Sequence, residues 1–330
     1  MVNVHQKKQL SIYQSIAKNV NNKKWTCYQP GCFNDAINSH LLQRNGILSH
    51  IAENSSLIQV GAKDIFQFEG TGAVTFKRLG INNAISYPLF CNGHDTQIFK
   101  PIEQQSIDFH DYHSQLLFSY RALCAELRKK EKSLEINERL YQSKNLIALM
   151  EKDFFKMLET RKIGHKLAVR DLKTFKKSFE DELDSPNGNF SFKTLIFPSI
   201  KVSASAIFSY MDDTDRLDGR YLDEQPLDTV FVNVIPQEIS SIVIIGYQNN
   251  RTNKWIVDYI QKWQDCLDDE FGRLLSDLVT RFETWTMAES LYQRIPDLSV
   301  KSYLSAFENT MHSGIDRTTL LNFNLFNLDE

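Results

Sequence analysis

Five residues between positions 27 and 94 carry the best metal ligands in this chain: Cys27, Cys32, His40, Cys91 and His94. Four of them form short-spaced pairs. Cys27-Tyr-Gln-Pro-Gly-Cys32 places four residues between two thiols, and Pro30-Gly31 supplies a turn that brings them back together. Cys91-Asn-Gly-His94 is a C-x-x-H step, which one turn at a helix start accommodates. Zinc takes four soft or borderline ligands in a tetrahedron, and two such pairs joined by folding supply them. Cys27, Cys32, Cys91 and His94 are therefore expected to hold one structural Zn²⁺. The plainer alternative is that the thiols are small buried hydrophobes, which is how Cys124 and Cys266, both in helical patterns, are read. The 58 residues between the pairs are more than a small zinc finger needs.

Two further positions bear on chemistry. Ser39-His40 follows the first pair, and Asp95 follows His94 directly. The order is a knuckle, then a histidine on a hairpin, then a Cys-x-x-Cys/His step that opens a helix. Over roughly residues 25–103 this resembles the zinc-bearing HNH (ββα-metal) nucleases of the treble-clef group. The resemblance implies that His40 activates water as a general base and that Asp95 holds a catalytic cation, Mg²⁺ or Mn²⁺. It also implies a metal-dependent endonuclease acting on nucleic acid, such as an effector of a bacterial defence system. Ser39 departs from the pattern, because that family usually has Asp, His or Glu there as a further metal ligand. A serine hydroxyl is a poor ligand for a hard divalent cation. The departure favours a second reading from another class, a non-catalytic adaptor stabilised by zinc. Its helical hairpin and C-terminal domain would bind a protein partner.

Those residues need elements to position them. Apolar residues at Leu10, Ile12, Ile16 and Val20 predict a short amphipathic helix before the first knuckle. A hairpin or loop is expected at His40 and a short helix near Ile47–Glu53, in which His50 is a surface residue. Residues 57–80 read as extended, and Gly70-Thr-Gly72 reads as a turn, since no lysine-serine pair or helix follows it as in a phosphate loop. Between Pro101 and Pro186 there is no proline and one glycine, with apolar residues at helical spacing throughout. A single straight helix there would run about 125 Å at 1.5 Å per residue. A fold-back near Lys132–Asn137 is expected instead, giving a long helical hairpin. Arg128-Lys-Lys130 and Lys176-Lys177 are read as a solvated helix face, with phosphate contact as the alternative.

Past Ser185-Pro-Asn-Gly-Asn189, read as a linker, the period changes to alternation. Residues 190–197, 200–210, 229–235 and 240–247 predict a mostly antiparallel sheet. Ile200, Val202, Ala204, Ala206 and Phe208 predict one buried face, leaving Lys201, Ser203 and Ser205 on a wet one. Asp212-Asp213-Thr-Asp215 fails the calcium-loop register and reads as a solvated loop. A wide apolar stripe from Lys254 to Tyr292 predicts a long amphipathic helix on the sheet. Leu298 to Phe307 reads as a further short helix, and Leu320 to Leu328 as an edge strand or a tail. The expected fold is α+β: a treble-clef-like zinc unit (1–103), a long helical hairpin (104–184), and a sheet-plus-helix domain (185–330).

Composition bounds the rest. At 42% hydrophobic and 24% charged residues, the chain reads as a soluble globular protein with no apolar run long enough for a membrane span. Five cysteines, an odd number, and no apolar leader point to reduced thiols and the cytoplasm. The net charge of −3 hides an asymmetry, with +6 over residues 1–184 and −9 over residues 185–330. Nucleic acid is thus expected, if at all, through residues 1–184.

Overall fold

A computed structural model describes residues 4–62, 74–147, 149, 152–209, 225–251, 254–313 and 324–326. Helix α1 (Val4–Asn21) leads into the first knuckle, as its apolar spacing predicts. Strand β1 (Asn38–His40) pairs antiparallel with β4 (Ser86–Pro88), and α2 (Asn92–Phe99) follows at once. This is a small ββα frame. Between its two strands the chain inserts β2 (Ser56–Ala62) and β3 (Val74–Gly80), a hairpin that joins another sheet. The Ile47–Glu53 segment is a single 3₁₀ turn, Leu48–His50, and His50 is exposed.

Helix α3 (Tyr112–Tyr141) starts where Asp111 accepts the Ser114 backbone N–H at 2.8 Å. The helix continues past Lys132–Asn137, correcting the expected fold-back point. That segment holds no glycine or proline, Glu135 pairs with Arg139 one turn on, and Ile136 packs with Leu140. The chain reverses after Tyr141, through α4 (Lys144–Ile147), into α5 (Lys152–Asp184). Ile12 and Ile16 of α1 join Leu140, Leu146 and Leu158 in a satellite core around this bend. At the far end of α5 the 185–189 segment is tied down: buried Glu182 accepts the backbone N–H groups of Asn187 and Gly188 at 2.9 and 2.7 Å. Gly188 sits at φ +71°, the left-handed region where glycine costs least.

The sheet strands follow as β5 (Phe190–Pro198), β6 (Val202–Ser209), β7 (Thr229–Pro236) and β8 (Ser240–Gln248). The expected helix over 254–292 is broken into α6 (Lys254–Gln264), α7 (Phe271–Val279), β9 (Trp285–Met287) and α8 (Glu289–Tyr292). Asp265 to Glu270 interrupts it with four acids, and Thr284-Trp285-Thr286 prefers the extended state. Helix α9 (Asp297–Ser313) follows. The seven strands run β3-β2-β9-β6-β7-β8-β5, every pairing antiparallel. One sheet therefore crosses the expected boundary between residues 1–103 and 185–330.

Both faces of this sheet are covered. Phe175 and Phe179 of α5 meet Phe231, and Phe179 also meets Phe190. On the other face Phe197 stacks on Phe271 at 4.4 Å and Phe208 meets Tyr259. Ser203 and Ser205 are thus buried under α3, not wet, and Ser205 donates to Asn233 at 2.7 Å. Small side chains there let the helix approach closely. Among the described residues no helix is long and apolar enough to cross a membrane. Gly70-Thr-Gly72, the Asp212–Asp218 loop, Ile65–Phe68 and most of Leu320–Leu328 lie outside the described residues.

Candidate functional site

The first knuckle is built by backbone geometry. Gly31 takes φ +74°, and the Cys32 N–H donates to the Gln29 carbonyl at 3.1 Å, closing the turn. The Gln29 N–H then points at Cys27 Sγ, 3.4 Å away. Cys27 N–H donates to Asn34 O and Tyr28 N–H to Leu89 O, so the knuckle is stitched both to itself and to the end of β4. The second pair uses the helix start: Cys91 is the residue before α2, in extended backbone, and His94 lies within the first turn.

These two devices converge. The ligand atoms of Cys27, Cys32, Cys91 and His94 all lie within 4.8 Å of one another. Cys32 Sγ is 3.9 Å from Cys91 Sγ, while His94 Nδ1 is 3.2 Å from Cys91 Sγ and 3.5 Å from Cys27 Sγ. A tetrahedral ion with Zn–S of about 2.3 Å and Zn–N of about 2.0 Å needs separations of that size. The Cys91 thiol is lowered to about 7, first by the His94 backbone N–H that reaches its sulfur. A thiolate is the form that binds metal. Burial instead pushes the Cys27 thiol up. Four donors of this kind at this spacing fit one metal ion. Cys124 is fully buried within α3, and Cys266 lies just past α6, both away from the cluster.

His40 ends β1, half-buried. Its Nε2 lies 2.9 Å from the Ile81 carbonyl. A carbonyl can only accept, so Nε2 carries the proton and Nδ1 is left with a free lone pair. Burial lowers the His40 pKa, and the nearby cations Arg44 and Arg121 push the same way. Both effects favour the neutral ring, the form a base takes. Opposite His40 stands Ser86, and just before it Ile85 holds φ +37°, a region that strains a β-branched residue. Ile85 is fixed there on both sides: its N–H donates to the buried Gln59 side chain at 3.2 Å, and its carbonyl accepts from Leu41 N–H at 3.1 Å. Ser39 is 2% exposed, and its hydroxyl has no hydrogen-bond partner.

Asp95, in the first turn of α2, stands 3.8 Å from Arg121 of α3. Arg121 and Arg128 are two helical turns apart, on one face of α3. Arg128, 3% exposed, donates to the Pro88 and Thr26 carbonyls at 2.8 Å each. Its guanidinium also lies over Trp25 and Tyr28. Thr26 directly precedes Cys27, and Pro88 lies three residues before Cys91. Neither reading of Arg128-Lys-Lys130 covers this: Arg128 is a buried clamp, and Lys129 bridges Glu126 and Glu283. Lys176 and Lys177 pair with Glu180 and Asp181 along α5. Arg121, Glu103 and Gln59 do not stand out in the sequence as site residues, and Arg128 does so only through the phosphate-contact alternative. The one signal there is an arginine amid the apolar run Leu116–Leu127, a placement that burial allows only when the charge is paired.

With this geometry in view, a scan against family models, a search of curated proteins and a search of solved structures find nothing that matches the chain.

Proposed function

We propose that the N-terminal unit is an HNH-like module directed at nucleic acid. One structural Zn²⁺ on Cys27, Cys32, Cys91 and His94 stabilises it, and His40 is its general base. The observation that carries this reading is the His40 ring at the end of β1, its Nε2 held 2.9 Å from the Ile81 carbonyl so that Nδ1 carries the lone pair. In phosphodiester hydrolysis Nδ1 would take a proton from water as the water oxygen attacks phosphorus and the ester oxygen leaves. The strained Ile85 across the hairpin supports it, since backbone strain held by specific hydrogen bonds collects at functional sites. Asp95 is the acid of the same ββα frame, one residue past a metal ligand. The family likeness would add catalytic Mg²⁺ or Mn²⁺ on Asp95, a carboxylate that the Arg121 guanidinium already faces. Nucleic acid would bind through residues 1–184, with affinity falling steeply as salt rises.

A second reading has its own support. Ser39 offers no good ligand, and Asp95 already faces a buried guanidinium. On these grounds the module would be a zinc-stabilised adaptor, with a protein partner on the helical pair and the sheet. A cleavage assay on labelled DNA and RNA, with and without Mg²⁺ or Mn²⁺, separates the two. The nuclease reading expects wild-type cleavage that His40→Ala lowers by about 10²–10⁴-fold, with zinc content and melting temperature unchanged. Undiminished cleavage by His40→Ala would refute the base assignment, and wild-type protein that cleaves nothing would favour the adaptor.

A further inference from the structure

A single cation is shared by two acids between α2 and α3. Asp95 and Phe99 are one turn apart on the same face of α2, and Glu103 ends the 3₁₀ turn that extends the helix. Arg121 of α3 lies against that face and is only 1% exposed. Its Nη1 donates to Glu103 at 2.6 Å, its Nη2 stands 3.8 Å from Asp95 Oδ2, and its guanidinium lies 3.9 Å from the Phe99 ring centre. Neither partner is saturated: Asp95 Oδ1 and Arg121 Nε are both buried without a hydrogen-bond partner. Arg44 and Arg121 are also the cations that act on His40, together with the Glu103 carboxylate. Asp95, Glu103, Arg121 and His40 therefore form one electrostatic neighbourhood.

We propose that Arg121 is the resident cation of this site: it takes the place between Asp95 and Glu103 that a divalent ion would need, and keeps such ions out. Three observations carry this. A guanidinium is always protonated in proteins, so a second cation at Asp95 would meet a fixed charge that solvent does not screen. Mg²⁺ demands six oxygens at about 2.1 Å, whereas one carboxylate oxygen of each acid already faces Arg121. The residue that would supply the next ligand, Ser39, pairs with Tyr87 and alternates with His40, so its buried hydroxyl points to the opposite face of β1. The inference rests on reading Asp95 as the cation-side acid of the proposed module. It is read out by ion binding and not by cleavage, so a protein that cleaves nothing would count against that reading alone.

The test is Mn²⁺ titration of full-length, zinc-loaded protein, with free Mn²⁺ followed by electron paramagnetic resonance. Wild type and Asp95→Asn are expected to bind the same number of ions with the same affinity. Arg121→Gln should gain one site, at least about tenfold tighter than any in wild type, and Arg121→Gln with Asp95→Asn should lose it again. A wild-type Mn²⁺ site that Asp95→Asn removes would overturn the proposal, and that comparison does not depend on how Arg121→Gln folds. A folded, zinc-replete Arg121→Gln protein with no added site would overturn it as well.

Discussion

The ββα unit and the seven-stranded sheet are held together in opposite ways. In the sheet, β5 to β8 are eight or nine residues long, and aromatic side chains pack on both faces. Hydrophobic burial and long ladders determine its form. In the ββα unit the two paired strands have three residues each, too few to stand alone. Its knuckles are positioned by a Cys₃His cluster and by polar tethers from α3, chiefly Arg128 and Arg121. The region carrying the candidate chemistry is thus the one least able to shape itself. Its geometry is set by a Cys₃His cluster that could hold one metal ion and by a neighbouring helix.

The largest effect expected from this contrast follows loss of the ion. A structural zinc site of this kind contributes on the order of 10 kcal/mol of binding free energy to folding. Cys91→Ser, or wild type treated with a strong chelator, should lose hydrogen-exchange protection across residues 25–40 and 86–99. The amides of β5 to β8 should keep theirs, because their ladders do not depend on the ligands. Uniform loss of protection across the whole chain would break the comparison. Next in size is Arg128→Ala. It strips the Pro88 and Thr26 carbonyls of their donor and empties the slot between Trp25 and Tyr28. A cost of about 3 kcal/mol is expected from denaturant unfolding, together with weaker zinc retention. An Arg128→Ala protein that holds zinc as tightly as wild type would show that α3 does not position the knuckles.

The smallest effect belongs to the other side of α3. His165 of α5 borders a cavity of about 400 Å³ between the helical pair and the ends of β6 and β7. Burial lowers its pKa to about 4, with Lys130 and Arg161 adding to the effect. A group whose folded pKa lies below its unfolded one leaves stability intact above the unfolded value, near 6.5. Stability is then lost as pH falls toward 4, because the unfolded chain binds the proton more readily. His165→Gln should therefore shrink the stability difference between pH 7 and pH 4.5 by about 1 kcal/mol, a value reduced for the ring's partial exposure. Equal pH dependence in both proteins would show that His165 does not carry this titration.

Much of this is legible from residue spacing. The four candidate metal ligands stand out because two short-spaced Cys/His pairs match what a tetrahedral ion requires, and β5 to β8 because alternation with turn residues marks strands. What the sequence could not reveal depends on long-range placement. Ser203 and Ser205 alternate as a wet face would, yet α3 covers them. The stripe from Lys254 to Tyr292 has helical period, but Trp285 and Met287 are taken into the sheet between β2 and β6. Arg128 reads as part of a solvated helix face until Pro88 and Thr26 are known to lie beside it. Local pattern reports the neighbours along the chain, and these residues are defined by neighbours across it.

The central claim is that Cys27, Cys32, Cys91 and His94 hold one structural zinc that organises the candidate site. Elemental analysis of protein purified without added metal and passed over a chelating resin tests it most directly. About one zinc per chain is expected in wild type and none in Cys91→Ser, with wild-type content preserved in His40→Ala. Folded wild-type protein that carries no zinc and takes none up when it is supplied would contradict it.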